Sequence, residues 1–149
     1  MTNINGKTMY QRDADIKVVD AFINGHYTRR VKKVSKRDEV FIRMDGSKYY
    51  KLWNTELVRK FTCGDIWIYI TDNSDMDDIY YGNWGRRKDV AMTQTTKNRL
   101  NSFLDYYGFN SLEVHSNKKL FGVWHNGKEL ENDSWYKLDF TSHELVKVN

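Results

Sequence analysis

Apolar residues recur along the chain in two rhythms, a helical one in two places and a strand-like alternation through most of the rest. Ile16, Val19, Phe22 and Ile23 fall on one helical face, with Asp13 as N-cap, Asp15 in the first turn and Asn24-Gly25 as the stop, which predicts a core-packing helix of about 11 residues. Leu100, Phe103, Leu104 and Tyr107 repeat at i, i+3, i+4 and i+7; Thr93 or Thr95 as N-cap and Gly108 as terminator complete a second helix. Between them, residues 27–34, 39–44, 47–52, 55–61 and 65–71 are strand-compatible. Asp45-Gly46 suits a type I′ hairpin turn, and Cys63-Gly64 marks another turn. In residues 65–71, Ile66, Ile68 and Ile70 share one face while Trp67, Tyr69 and Thr71 share the other, so this strand is expected to be central and at least partly buried. After Gly108, residues 111–115, 120–125 and 135–141 read as strands, with Ser116-Asn117 and Asn126-Gly127 as turns and 142–149 as a last edge strand. The short turns forbid parallel crossovers. The expectation is therefore a single α+β domain over residues 1–149, with two main helices and a mostly antiparallel sheet of about six to seven strands. Residues 1–12 carry no pattern and read as a loose or edge segment.

One stretch breaks the rhythm. Residues 72–91 hold an acidic run, then Ile79-Tyr80-Tyr81-Gly82-Asn83-Trp84-Gly85, then Arg86-Arg87-Lys88, without periodicity, and connections of that length in a domain are often functional.

Composition narrows the function classes. Aromatics are 15% of the chain and proline is absent, so the core leans on Trp, Tyr and Phe, and turns fall to Gly, Asn and Asp. No stretch is apolar enough to span a membrane, and the polar start Met-Thr-Asn-Ile-Asn-Gly lacks a signal-peptide core, so a soluble cytoplasmic protein with no membrane partner is expected. The single cysteine, Cys63, reads as a small turn residue. His26-Tyr27-Thr28 supplies one His-x-Thr element of a two-histidine phosphoesterase, but no second element follows. No nucleophile and base stand together either. The acidic run Asp72-Asn73-Ser74-Asp75-Met76-Asp77-Asp78 lacks the central glycine and distal glutamate of a calcium loop. Catalysis, a metal and a cofactor are accordingly not expected.

Binding is the remaining class. Net charge is only +4, yet the 9 residues from Arg29 to Arg37 carry six Lys or Arg and no acid, and Arg86, Arg87 and Lys88 form a second basic block. At the mouth of the second helix, unpaired N–H groups and the positive end of the dipole meet Thr95, Thr96, Lys97 and Arg99, a composition that suits an anion. The plainer alternative is a capped helix with Lys97 and Arg99 in solvent and Asn101 bonded to a neighbouring strand. If Arg29, Arg30, Lys32, Arg86, Arg87 and Lys88 lie on the same side, interleaved with Trp84 and its neighbouring tyrosines, the set suits nucleic acid, phosphates on cations and bases on rings. The rival is an anti-defence or host-takeover protein that inhibits a host enzyme by docking on it through the acidic run and exposed aromatics. Trp53, Trp67, Trp124 and Trp135 all fall in predicted strands and read as packing residues.

Leu52-Trp53-Asn54-Thr55, Trp84 ahead of Thr95-Thr96-Lys97-Asn98-Arg99-Leu100-Asn101, and Gly122-Val123-Trp124-His125-Asn126-Gly127-Lys128 together resemble a widespread set of small uncharacterised bacteriophage proteins. The resemblance covers residues 16–138, and its most specific element is a Trp-x-Thr-x-Thr-Thr-Lys-x-Arg-(Leu or Ile)-Asn run. Here Gly85 to Thr93 reads as inserted and the acidic run as additional. The resemblance implies a viral origin and an accessory role in an infected bacterial host; it brings no activity with it.

Overall fold

The computed structural model describes residues 13–24, 31–71, 91–117 and 119–148. The fold is α+β. Helix α1 (Asp13–Asn24) is followed by strands β1 (Val31–Lys33), β2 (Asp38–Ile42), β3 (Lys48–Leu52), β4 (Thr55–Lys60) and β5 (Ile66–Ile70). Helix α2 (Gln94–Tyr106) then leads into β6 (Glu113–Ser116), β7 (Phe121–His125), β8 (Lys128–Leu130), β9 (Ser134–Asp139) and β10 (Glu144–Val148). Seven strands form one antiparallel sheet in the order β1-β2-β3-β4-β5-β9-β10, and β6-β7-β8 form a second. The expected central position of the isoleucine strand holds, since β5 lies between β4 and β9.

Alternation along the strands divides the large sheet into two faces. Val40, Tyr50, Val58, Ile68 and Tyr136 stand directly across from one another, strand to strand, and all are buried. Helices α1 and α2 cover this side: Phe103 meets Phe22 edge-on at 5.2 Å and lies 5.6 Å from Tyr50. The small sheet adds Val123 and Leu130 to the same core. A β-bulge between Tyr50 and Lys51 shifts the β3–β4 register, and in β4 it allows consecutive residues Leu57 and Val58 both to be buried.

Several local expectations change. On α1 the buried stripe is Asp15, Val18, Val19 and Phe22, one position round from the predicted face; Ile16 is only half-buried. The apolar count missed this because its buried end is a carboxylate. The Asp45-Gly46 turn closes differently from the expected type I′, and the turn at Cys63-Gly64 takes the same form. Gly46 N donates to Arg43 O at 2.9 Å and Arg43 N to Ser47 O at 2.9 Å, and the same pattern joins Phe61, Gly64 and Asp65. Gly46 and Gly64 have positive φ, but Asp45 and Cys63 do not, which is a type I turn with a glycine bulge. Asn126 and Gly127 both have positive φ, as a two-residue turn of type I′ requires. Trp53, expected in a strand, instead turns the β3–β4 corner at φ 53°. The predicted strand at 27–34 survives only as β1, its first four residues lying outside the described ones, and β8 was not foreseen.

Candidate functional site

At the α2 mouth, the expected anion site, Thr96 and Arg99 are engaged within the fold itself. Thr93 is the N-cap, its hydroxyl accepting from Thr96 N at 3.4 Å and sharing a 2.8 Å hydrogen bond with the Thr96 hydroxyl. Thr96 is fully buried, while Thr95 and Lys97 are half-buried. Asn101 accepts from Leu112 N at 2.8 Å. Gly108, at φ 83°, closes the other end: Phe109 N reaches Leu104 O at 2.8 Å and Gly108 N reaches Asp105 O at 3.1 Å. With Leu104 and Phe109 both in the core, this is a Schellman stop with its hydrophobic contact.

Arg99 corrects the reading most. It is 3% exposed and lies on the stripe of Thr96, Leu100 and Phe103 that faces the sheet. Its Nε donates to Asp38 Oδ1 at 2.9 Å, its Nη2 to Asp38 Oδ2 at 2.9 Å, and its Nη1 to Asp15. Tyr50 donates its hydroxyl proton to Asp38 Oδ1, and Ser35 Oγ donates to Asp38 Oδ2 at 2.6 Å. Burial pushes the Asp38 carboxyl up, but hydrogen bonds from Arg99, Ser35 and Tyr50 outweigh it and hold the group below its ordinary value. Burial, then the adjacent Asp38 charge, pushes the Tyr50 phenol well up. Burial opposes the Arg99 charge as well, yet the paired carboxylates raise its pKa further. The guanidinium is committed to Asp15 and Asp38, and this node ties α1, α2 and the sheet together.

The other cations are placed differently. Lys32 is exposed on edge strand β1, directly across from Val40 and so on the helix-covered side. Arg29, Arg30, Trp84, Arg86, Arg87, Lys88, the tyrosines beside Trp84 and the acidic run lie outside the described residues.

A different set converges on the face of the large sheet opposite the helices, which is open among the described residues. Directly across from one another stand Phe41, Tyr49, Arg59, Trp67 and Lys137, with Tyr69 opposite Trp135 one step along. Phe41 stacks on Tyr49 at 5.1 Å and 10°. The Arg43 guanidinium lies 4.3 Å from the Tyr49 ring centre, and that of Arg59 lies 4.1 Å from Trp135 and 5.7 Å from Tyr49. Trp135 continues to Tyr69 at 4.9 Å and to Trp67 at 6.3 Å, and Trp67 meets Phe61 at 4.6 Å. Rings and guanidinium groups thus alternate across five strands, roughly 19 Å at ordinary strand spacing. Phe41, Trp67, Tyr69 and Trp135 are half-buried, while Tyr49 is only 8% exposed beneath Phe41, Arg43 and Arg59; side-chain exposure is 52% for Arg43 and 29% for Arg59.

The cations of this face are partnered. Glu56 lies 3.2 Å from Arg59 and 3.9 Å from Arg43, Glu39 lies 3.6 Å from Lys51, and Asp65 lies 3.8 Å from Lys137. The face is therefore rich in rings and only weakly positive, so planar groups suit it better than bare phosphate chains do. A signal for it existed in the sequence: Phe41-x-Arg43, Tyr49-x-Lys51, Arg59-x-Phe61, Trp67-x-Tyr69 and Trp135-x-Lys137 are each one face of an alternating strand. Strand by strand these aromatics read as packing residues; only the pairing of the strands joins their faces into one surface.

The cavity of about 570 Å³ beside Ile70, Ala91 and the β7–β8 hairpin has Glu129 and Glu131 in its wall, the wrong charge for a phosphate. No helix among the described residues is long and apolar enough to cross a membrane. No protein-family model matches the chain, and neither a curated protein nor a solved structure does.

Proposed function

We propose that the protein is a non-catalytic accessory protein, of the bacteriophage kind its sequence resembles, that binds unpaired nucleic acid on the open face of its large sheet. The observation that carries this reading is the alternation of half-buried Trp135 and Trp67 with Arg43 and Arg59 on one surface, Arg43 and Arg59 resting on the Tyr49 ring beneath them. Unpaired bases stack on aromatic rings and on guanidinium planes, at about 1–3 kcal/mol per stacked base. A duplex hides those ring faces inside its own stack. The expected interface is thus the sheet face and not the helix mouth. Fluorescence anisotropy with labelled single- and double-stranded oligonucleotides of equal length tests it. Tight binding to the single strand that falls on Trp67→Ala and Trp135→Ala supports the reading; no single-strand binding at low salt ends it.

A second reading has its own observation. Tyr106, Tyr107, Phe109 and Phe140 form a chain of edge-on rings, and Tyr106 and Phe140 remain 53% and 45% exposed. A patch of this kind suits docking on a host protein. A pull-down from bacterial lysate with and without nuclease separates the two: capture that survives nuclease and disappears with Tyr106→Ser and Phe140→Ser points to a protein partner.

A further inference from the structure

We propose that Glu56 is a selectivity latch on the open sheet face, holding Arg43 and Arg59 so that strands with exposed bases bind while duplexes and other bare polyanions do not. The inference rests on the nucleic-acid reading of that face and assigns its substrate selectivity to one residue.

The placement of Glu56 depends on the bulge. In a regular strand, residues three apart point to opposite faces. The extra residue opposite Tyr50 and Lys51 puts Glu56 across from Lys51 while Arg59 stays across from Tyr49, so both project onto the ring-bearing face. Glu56 Oε1 there accepts from Arg59 Nε at 3.2 Å, and its Oε2 lies 3.9 Å from Arg43 Nη2. One carboxylate is shared between the two guanidinium groups that stack on Tyr49 and Trp135.

The arrangement imposes a condition on any ligand. A phosphate that takes either guanidinium must displace Glu56 or share the cation with it, and like charges at that distance repel. A duplex offers phosphates alone and gains little from the exchange. A single strand also places bases against the half-buried Trp135 and Trp67 rings and the guanidinium planes, and stacking offsets the lost ion pair. The other carboxylates do not have this role, because Glu39 pairs with Lys51 and Asp65 with Lys137, cations that stand beside the rings.

The test compares Glu56→Gln with Glu39→Gln, which removes the same charge from the same face without touching either guanidinium. Affinities of the full-length protein for a labelled single strand, its duplex and heparin are measured from about 50 to 200 mM salt. Glu56→Gln is expected to raise duplex and heparin affinity about tenfold, change single-strand affinity less than about threefold, and steepen the log–log salt slope by about one. Glu39→Gln is expected to leave the single-strand preference unchanged. Matching thermal melts exclude a folding effect. Equal behaviour of the two variants, or lower affinity of Glu56→Gln for every ligand, overturns the latch while leaving the interface standing. Failure of both the wild type and Glu56→Gln to bind the single strand overturns the interface and the latch together.

Discussion

Arg99 is where one side chain holds the most structure. Two carboxylates from separate elements, Asp15 on α1 and Asp38 on β2, are buried against it, so removing the cation leaves uncompensated charge in the core. Arg99→Met is expected to destabilise the fold by about 3–5 kcal/mol in urea denaturation, far more than an exposed lysine-to-methionine change. Tyr50→Phe, which removes only the hydroxyl donor to Asp38, is expected to cost about 1–3 kcal/mol. The same groups set the pH range. Asp38 titrates below its ordinary value of 3.8 in the fold, so its stabilisation is complete above that value and is lost as pH falls through the lower folded pKa. Tyr50 and Tyr107 titrate above their ordinary value of 10.0, so their contribution is present below pH 10.0 and declines above it. Thermal melts should therefore show a plateau through neutral pH, an acid limb starting near the carboxylate range and an alkaline limb starting near the phenol range; Asp38→Asn should blunt the acid limb. None of this was legible in the residue string. Taken singly, Asp15 reads as a first-turn acid and Arg99 as a helix-mouth cation, and a network linking residues 15, 38, 50 and 99 exists only once three elements are packed.

Elements were far more legible than contacts. Both helices and most strands follow from period and turn chemistry, because each signal lies within a few residues: Thr93 with Thr96, Gly108 with Leu104 and Phe109, Asn126 with Gly127. Thr93→Ala is expected to lower stability by about 1 kcal/mol through the lost cap. Gly122 makes a stricter demand. At φ 143° an added Cβ meets the Glu129 carboxylate at 3.0 Å, so Gly122→Ala should destabilise the β7–β8 hairpin by more than about 1 kcal/mol, measurable as faster amide exchange in β7 and β8. The turn types at Gly46 and Gly64, the bulge in β4 and the short β8 were not foreseen, since each depends on register between strands and not on the residues of the turn alone. The bulge matters most, because it sets which side chains share a face.

For the whole molecule, the decisive fact is that, among the described residues, the large sheet has one covered side and one open side. Helices and the small sheet bury Val40, Tyr50, Val58, Ile68 and Tyr136, while Phe41, Tyr49, Arg59, Trp67 and Trp135 stand on the other side. A sequence rich in Trp and Tyr reads as a protein with an aromatic core, and the separation of the two sets is visible only when strand neighbours are known. The proposed interface uses the second set. Backbone and indole amide chemical-shift mapping, with a short single-stranded oligonucleotide titrated into labelled protein at low salt, tests that claim most directly. The account predicts shifts concentrated at Phe41, Tyr49, Arg59, Trp67 and Trp135, including the Trp135 indole, with little change in α2. Shifts centred on Thr95 and Lys97, or none across the sheet, would contradict it.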